Sequence, residues 1–231
     1  MKKSLFLFLV GSILPAMAQE NIFPNPEPIK TISAEHYRSL PGTDKTGETT
    51  PFIPAHFGVY LEKGTKAKWG FTKDEKFGGG GSCFFRYLPD DPGDGKKWRY
   101  NMLILGNDNR FRGSNAFRIK PNTDYVYSYY IKGNLGMIDP LLIFWPEEKA
   151  DDSRARIDTR KGLNRRIPLS ETWRRHSGYF RTPDNAGYMA LALSPSLGKP
   201  RDAFWIAQIK VAEIPAVIKR ETASRKFSVG V

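Results

Sequence analysis

Cysteine is all but missing. Cys83 stands alone in a chain of 231 residues, so no disulfide can close within it. The thiol lies inside the apolar run Ser82-Cys83-Phe84-Phe85, which predicts a buried, inert sulfur. Histidine is equally scarce: His36, His56 and His176 lack the short regular spacing of a metal motif. There is no G-x-S-x-G elbow and no H-E-x-x-H pair. The glycine run 78–81 is not followed by the Lys-Ser/Thr and helix of a phosphate loop, so it reads as a turn. Apart from residues 5–14 no long apolar run occurs, and none approaches the roughly 20 residues of a membrane helix. Helical periodicity with caps is missing as well.

Paired carboxylates do occur, at Asp90-Asp91 and Asp151-Asp152, but adjacent strand residues point to opposite faces and both pairs sit in turn-like surroundings. A glycosidase needs two carboxyls facing each other across one bond. No catalytic constellation is present, and a non-enzyme is expected.

What the chain does carry begins at its start. Lys2 and Lys3, the apolar run 5–14 and Ala16-Met17-Ala18 have the three-part layout of a secretory signal peptide, with cleavage expected after Ala18. The expected address is secreted or periplasmic. About 213 residues would remain, enough for one large β domain. Thirty-six Lys and Arg face 24 Asp and Glu, a net charge of +12 that removal of Lys2 and Lys3 lowers to +10. The surplus favours acidic partners such as sulfated or uronic glycans or an anionic envelope surface, and export argues against nucleic acid.

Strand-like runs recur at 57–62, 67–72, 82–88, 98–105, 116–119, 125–132, 141–145, 174–181, 188–194 and 204–213. Turn chemistry separates them, as in Pro89-Asp90-Asp91-Pro92-Gly93 and Thr182-Pro183-Asp184-Asn185. An all-β jelly-roll sandwich over 57–214 follows. Residues 19–56, rich in Pro, Thr and Gly, are expected to wrap over the domain as an irregular segment rather than form its core, and 215–231 to form a basic tail.

The two-residue period of strands divides core from surface. Tyr125, Tyr127, Tyr129 and Ile131 share one face and read as core; Val126, Ser128, Tyr130 and Lys132 share the other. His176, Gly178 and Phe180 take the core phase, which leaves Arg175, Ser177 and Tyr179 opposite. Strict alternation in the last strand puts Gln208 and Lys210 on that outer side. Sugars present apolar C–H faces ringed by hydroxyls, so a glycan site needs aromatic planes beside fixed polar groups, and arginine adds a planar fork for carboxylate or sulfate. The candidate ligand-binding set is therefore Ser128, Tyr130, Lys132, Arg175, Tyr179 and Gln208, together with Trp98 and Tyr100 where the loop DDPGDGKK meets a strand. Trp145, at a strand end before Pro146, is an alternative platform.

The order of these features resembles the galactose-binding-domain-like jelly rolls, and among them carbohydrate-binding modules of the family 4/9 kind. The residues that carry it are Asn21-Ile22-Phe23-Pro24-Asn25-Pro26, Trp69, the turn Gly80-Gly81 leading into Ser82-Cys83-Phe84-Phe85, the Y-x-x-S-x-Y-x-K strand from Tyr125 to Lys132, Trp173 with Arg175 and Phe180, and the closing strand around Trp205. The resemblance implies glycan binding and places Trp69, Trp173 and Trp205 in the core. It also implies a structural calcium ion. Here, however, the closing strand reads Trp205-Ile206-Ala207-Gln208 where many relatives have an acidic residue, and Glu27 and Asp74 are the oxygen donors that remain. Two readings stand: a secreted non-catalytic carbohydrate-binding protein favouring acidic glycans, or a structural or assembly protein of the cell envelope that turns the same sandwich toward a protein partner.

Overall fold

Alternation of apolar and polar side chains, not helical periodicity, organises this chain, and strands make up nearly all of its regular structure. The computed structural model describes residues 20–38, 47–93, 99–108, 112–159, 163 and 166–215. The expected leader at 1–18, Trp98 and the tail beyond residue 215 lie outside the described residues. Among the described residues no helix is long and apolar enough to cross a membrane.

Two antiparallel-rich sheets pack face to face. The first runs β13 (Arg174–Arg181), β9 (Asp124–Gly133), β15 (Ala203–Glu213), β6 (Ser82–Tyr87), β5 (Ala67–Thr72), β2 (Glu48–Thr49). The second runs β11 (Ile157–Thr159), β10 (Met137–Pro146), β14 (Ala186–Ser196), β7 (Met102–Leu105), β4 (Phe57–Tyr60), with β12 (Ile167–Pro168) also beside β10 and β8 (Phe117–Arg118) beside β14. The chain crosses repeatedly between the two, as from β9 to β10 and from β13 to β14 to β15. This is the winding of an all-β jelly-roll sandwich.

The core lies between the sheets. The six-stranded sheet contributes Trp69, Phe85, Tyr125, Tyr127, Tyr129, Ile131 and Phe204, and the seven-stranded sheet Phe57, Val59, Leu103, Leu105, Leu142, Phe144 and Leu191. Each such side chain contributes about 1.5–3 kcal/mol on burial. Cys83 is buried among them, and Asn101, Asp91 and Arg99 pin the 88–101 connection.

Proline hides part of the second sheet from a reading by turn signals. Pro140 and Pro195 both lie inside strands, where the lost N–H weakens the strand signal. Pro140 is accommodated because β12 pairs with residues 137–138 and β11 with 142–144, so it falls in the gap between these short partners.

The entry segment differs from the expected irregular wrap. It holds β1 (Thr31–Ser33), the short helix α1 (Ala34–Arg38) and β3 (Phe52–Pro54), and β1 pairs with β3. It also enters the core: Phe23 packs edge-on to Phe57 and Phe117, and Tyr37 edge-on to Trp69. Asn21 fixes its start by accepting from Val211 N and donating to the Ile209 carbonyl, both at 2.9 Å.

Candidate functional site

β9 is the second strand of its sheet, so each outward side chain on it meets one from β13 and one from β15. Tyr130 is flanked by Arg175 and Ala207, Ser128 by Ser177 and Lys210, and Lys132 by Trp205. Arg175 donates to Ser128 Oγ at 3.4 Å. The structure thus brings Ser128, Tyr130, Lys132 and Arg175 onto one sheet face, with Tyr125, Tyr127, Tyr129 and Ile131 buried on the other.

Trp173 and Trp205, placed in the core by resemblance, are instead half-buried on this outer face. Lys132 Nζ lies 5.7 Å from the Trp173 ring centroid and 5.3 Å from that of Trp205, a cation held between two indoles. Arg86 covers Trp205 and Phe84 from the next strand, at 5.8 Å from each ring.

Trp205 faces outward because of a bulge. The pairing of β15 with β9 slips between Ala207 and Lys210, and Gln208 takes the left-handed conformation at φ +48°. Residues 205 and 207 therefore share a side with 210, which strict alternation forbids. Gln208 is the extra residue, and its amide reaches the glycine run: a Cβ on Gly78 would lie 2.8 Å from Gln208 Nε2.

The connection 73–81 folds across this face. Ser82 Oγ donates to the Glu75 carbonyl, the Glu75 carboxylate pairs with Lys132, and Gly78 at φ +69° lets the chain reverse. Phe77 is delivered onto Tyr130, stacked at 3.9 Å, and reaches Trp173 at 5.6 Å. Sequence reasoning missed Phe77, Glu75 and the two tryptophans. Of these, only Trp173 carried a usable signal, since it shares the phase of Arg175.

The remaining candidates lie elsewhere. Tyr179 is on β13 in the phase of Arg175 but four residues, about 13 Å, further along. Tyr100 is on the opposite side of the molecule, edge-on to Tyr60 at 5.9 Å, where its N–H donates to Glu62 at 2.6 Å. There the outer face of the seven-stranded sheet forms a second, smaller apolar cluster of Met102, Ile104, Leu141, Ile143, Ala190 and Ala192 around Trp145. Trp145 is fully buried, which removes it as an open platform. Its Nε1 and Ser194 Oγ are buried without a hydrogen-bond partner.

The carboxylate pairs do structural work. Asp91 is buried and accepts from Arg99 at 2.6 and 3.0 Å, from Lys66 N at 2.6 Å and from Gly93 N at 2.7 Å. Asp90 pairs with Lys66, Asp151 accepts from Ser114, and Asp152 caps a 3-10 turn by accepting from Arg154 N. On the question of calcium, Glu27 lies against Gly80 and Asp74 is tied to Thr72, and Gln208 brings no charge. Among the described residues no three His, Cys, Asp or Glu side chains converge to hold a metal.

The layout defines a class, the all-β jelly-roll sandwiches. Within it, the solved structures that this chain is similar to include carbohydrate-binding modules and the enzymatically active domain of the bacteriophage CBA120 tailspike protein 4. One is the xylan-binding CBM22-1 domain of Paenibacillus barcinonensis Xyn10C, 14% identical over 74% of this chain and 91% of that one, with a TM-score of 0.42. Another is the family 11 carbohydrate-binding module of the Clostridium thermocellum cellulase Lic26A-Cel5E, 11% identical over 69% and 88%, with a TM-score of 0.43. A third is the CBM22-1 and GH10 portion of the C. thermocellum xylanase 10B, 11% identical over 69% of this chain, with a TM-score of 0.46; this chain spans 26% of its length. No protein-family model and no curated protein matches the sequence.

Proposed function

We propose that this protein is a secreted, non-catalytic carbohydrate-binding protein, akin to the family 4/9 modules, that holds acidic glycans on the outer face of the six-stranded sheet. The observation that carries the reading is Lys132, fixed between Trp173 and Trp205 and next to Tyr130 and Arg175. Indole and phenol planes suit the C–H faces of sugar rings, and the ammonium and guanidinium suit uronate or sulfate oxygens. Phe77 rests on Tyr130 where a sugar ring would stack, so a ligand displaces it as it enters. Weak single-site affinity is multiplied by the repetition of a polymer.

A glycan array read at two salt concentrations tests this. Salt-sensitive binding to uronic or sulfated glycans, weakened in a folded Lys132→Met variant, supports it. Absence of binding to any glycan, with specific capture of an envelope protein, replaces it with the assembly reading.

A second placement of the glycan has its own observation. The unpartnered Ser194 Oγ lies on the outer face of the seven-stranded sheet in the row of Met102 and Tyr60, the latter edge-on to Tyr100, while the unpartnered Trp145 Nε1 lies six residues away along β14. Buried polar atoms without partners are costly and suit a site that a hydroxylated ligand completes. Loss of binding in Tyr100→Ala but not in Lys132→Met assigns the glycan to that face.

A further inference from the structure

The connection 73–81 has two sides. Glu75 and Phe77 turn to the six-stranded sheet, where they meet Lys132 and Tyr130. Lys73, Lys76 and the glycines 79–81 line a separate cleft of about 630 Å³, which the ribbon of β1 and β3 completes. Its floor is apolar. Phe71 comes from β5, and a Cβ on Gly81 would collide with its ring, so only a glycine lets the loop lie so close. Ile29 and Phe52 come from the entry segment and are 57% and 58% exposed. Ile53 is buried, so the two-residue period puts its neighbour Phe52 on the outward face of the ribbon. Two large apolar side chains left this open beside one cleft gain from a partner that covers them.

The charges in the cleft are of one sign. Lys73 and Lys76 have no ion pair or hydrogen bond among the described residues, and no carboxylate lines the cleft. Of the acids nearby, Glu75 pairs with Lys132, the Asp74 carboxylate approaches Thr72 Oγ at 3.4 Å, and Glu27 stands against Gly80. An acidic group that enters therefore meets two unpaired ammonium groups.

The cleft also borders an open strand edge. β1 pairs with β3 alone, and Thr31 on it lines the cleft. Ala55 N donates to the Lys30 carbonyl and Ala34 N to the Pro51 carbonyl, and this ladder phase turns the backbone of Thr31 and Ser33 away from β3. Such an edge accepts one more strand, a pairing that a peptide offers and a sugar does not.

We propose that this cleft docks an extended, acidic peptide segment of a partner protein, anchored by one aromatic or aliphatic side chain. The peptide backbone adds to β1, the anchor seats among Ile29, Phe52 and Phe71, and Asp or Glu side chains reach Lys73 and Lys76. The ligand class differs from the glycan of the Lys132 face, and the two readings stand or fall separately.

The test selects a phage library of random dodecapeptides on the immobilised full chain. Enriched peptides should carry Asp or Glu around an aromatic or aliphatic residue. A synthetic copy of the most enriched one should bind the full chain in calorimetry, more weakly at high salt. Phe52→Ser should weaken it about tenfold, and Lys73→Gln with Lys76→Gln severalfold with a flatter salt dependence, both with unchanged thermal melting. Phe52→Ser should leave oligouronate binding at the Lys132 face as it was. No enriched peptide, enrichment of basic ones, or peptide binding indifferent to Phe52→Ser overturns the proposal. Self-association of the chain that Phe52→Ser abolishes, with no peptide enriched, also overturns it and assigns the cleft to a second copy.

Discussion

The ring of Phe77 lies on that of Tyr130, centroids 3.9 Å apart and planes 21° from parallel. A loop side chain thus occupies the aromatic surface that the strand presents.

Removing that ring opens the surface. A stacked pair contributes about 0.5–1.5 kcal/mol beyond the area it buries, so Phe77→Ala should raise affinity for an oligouronate about two- to tenfold. Calorimetry on the two proteins measures it. Unchanged affinity would mean that the loop does not hold the ligand's place.

Lys132 is partnered on three sides, by Glu75, Trp173 and Trp205. Lys132→Met keeps the length of the side chain and removes the charge. Thermal stability should fall by about 1–2 kcal/mol, and the salt dependence of glycan binding should flatten. Binding at low and high salt shows which. A variant as salt-sensitive as the parent would place the working cation elsewhere.

Asp91 is buried and its carboxylate accepts four hydrogen bonds. Burial pushes its carboxyl up, but the Arg99 guanidinium and the Lys66 and Gly93 N–H groups outweigh burial and hold it below the usual carboxylate range. Its contribution to stability is therefore present above the unfolded value of about 3.9 and is lost as pH falls through the lower folded one. Asp91→Ala strands Arg99 and should cost about 3–5 kcal/mol at neutral pH. Melting curves between pH 7 and pH 3 should show the difference between parent and variant shrinking toward the acid end. A difference that stays constant would contradict the assignment.

Cys83 is fully buried, and burial pushes its thiol far above the ordinary range. In native buffer an aromatic disulfide reagent should leave it unlabelled, and denaturant should restore a full equivalent. Rapid native labelling would mean that β6 opens far more readily than its packing implies.

How much of this was legible in the sequence differs by element. Residues 124–133 announce themselves: Tyr125, Tyr127, Tyr129 and Ile131 are buried as alternation requires, and Ala67–Thr72 matches its expected bounds. The outward set Ser128, Tyr130, Lys132 and Arg175 follows from the same period. Trp205 was not readable, because an extra residue at Gln208 reverses the phase of everything before it and bulges leave little trace in composition. Phe77 was hidden for a different reason: it lies 53 positions from Tyr130, and only the folded course of a glycine-rich loop brings the two rings together. The short strands β11 and β12 were missed because two or three residues hold too little pattern to register.

β13 closes one end of its sheet, and its outer margin carries Arg174, Arg175 and Arg181, all exposed. A terminal strand of eight residues is an invitation for a second molecule to add its own strand, and from there for fibrous self-association. Like charges brought into register along such a seam repel one another. The arginines of β13 therefore oppose edge-to-edge pairing of two copies along that strand.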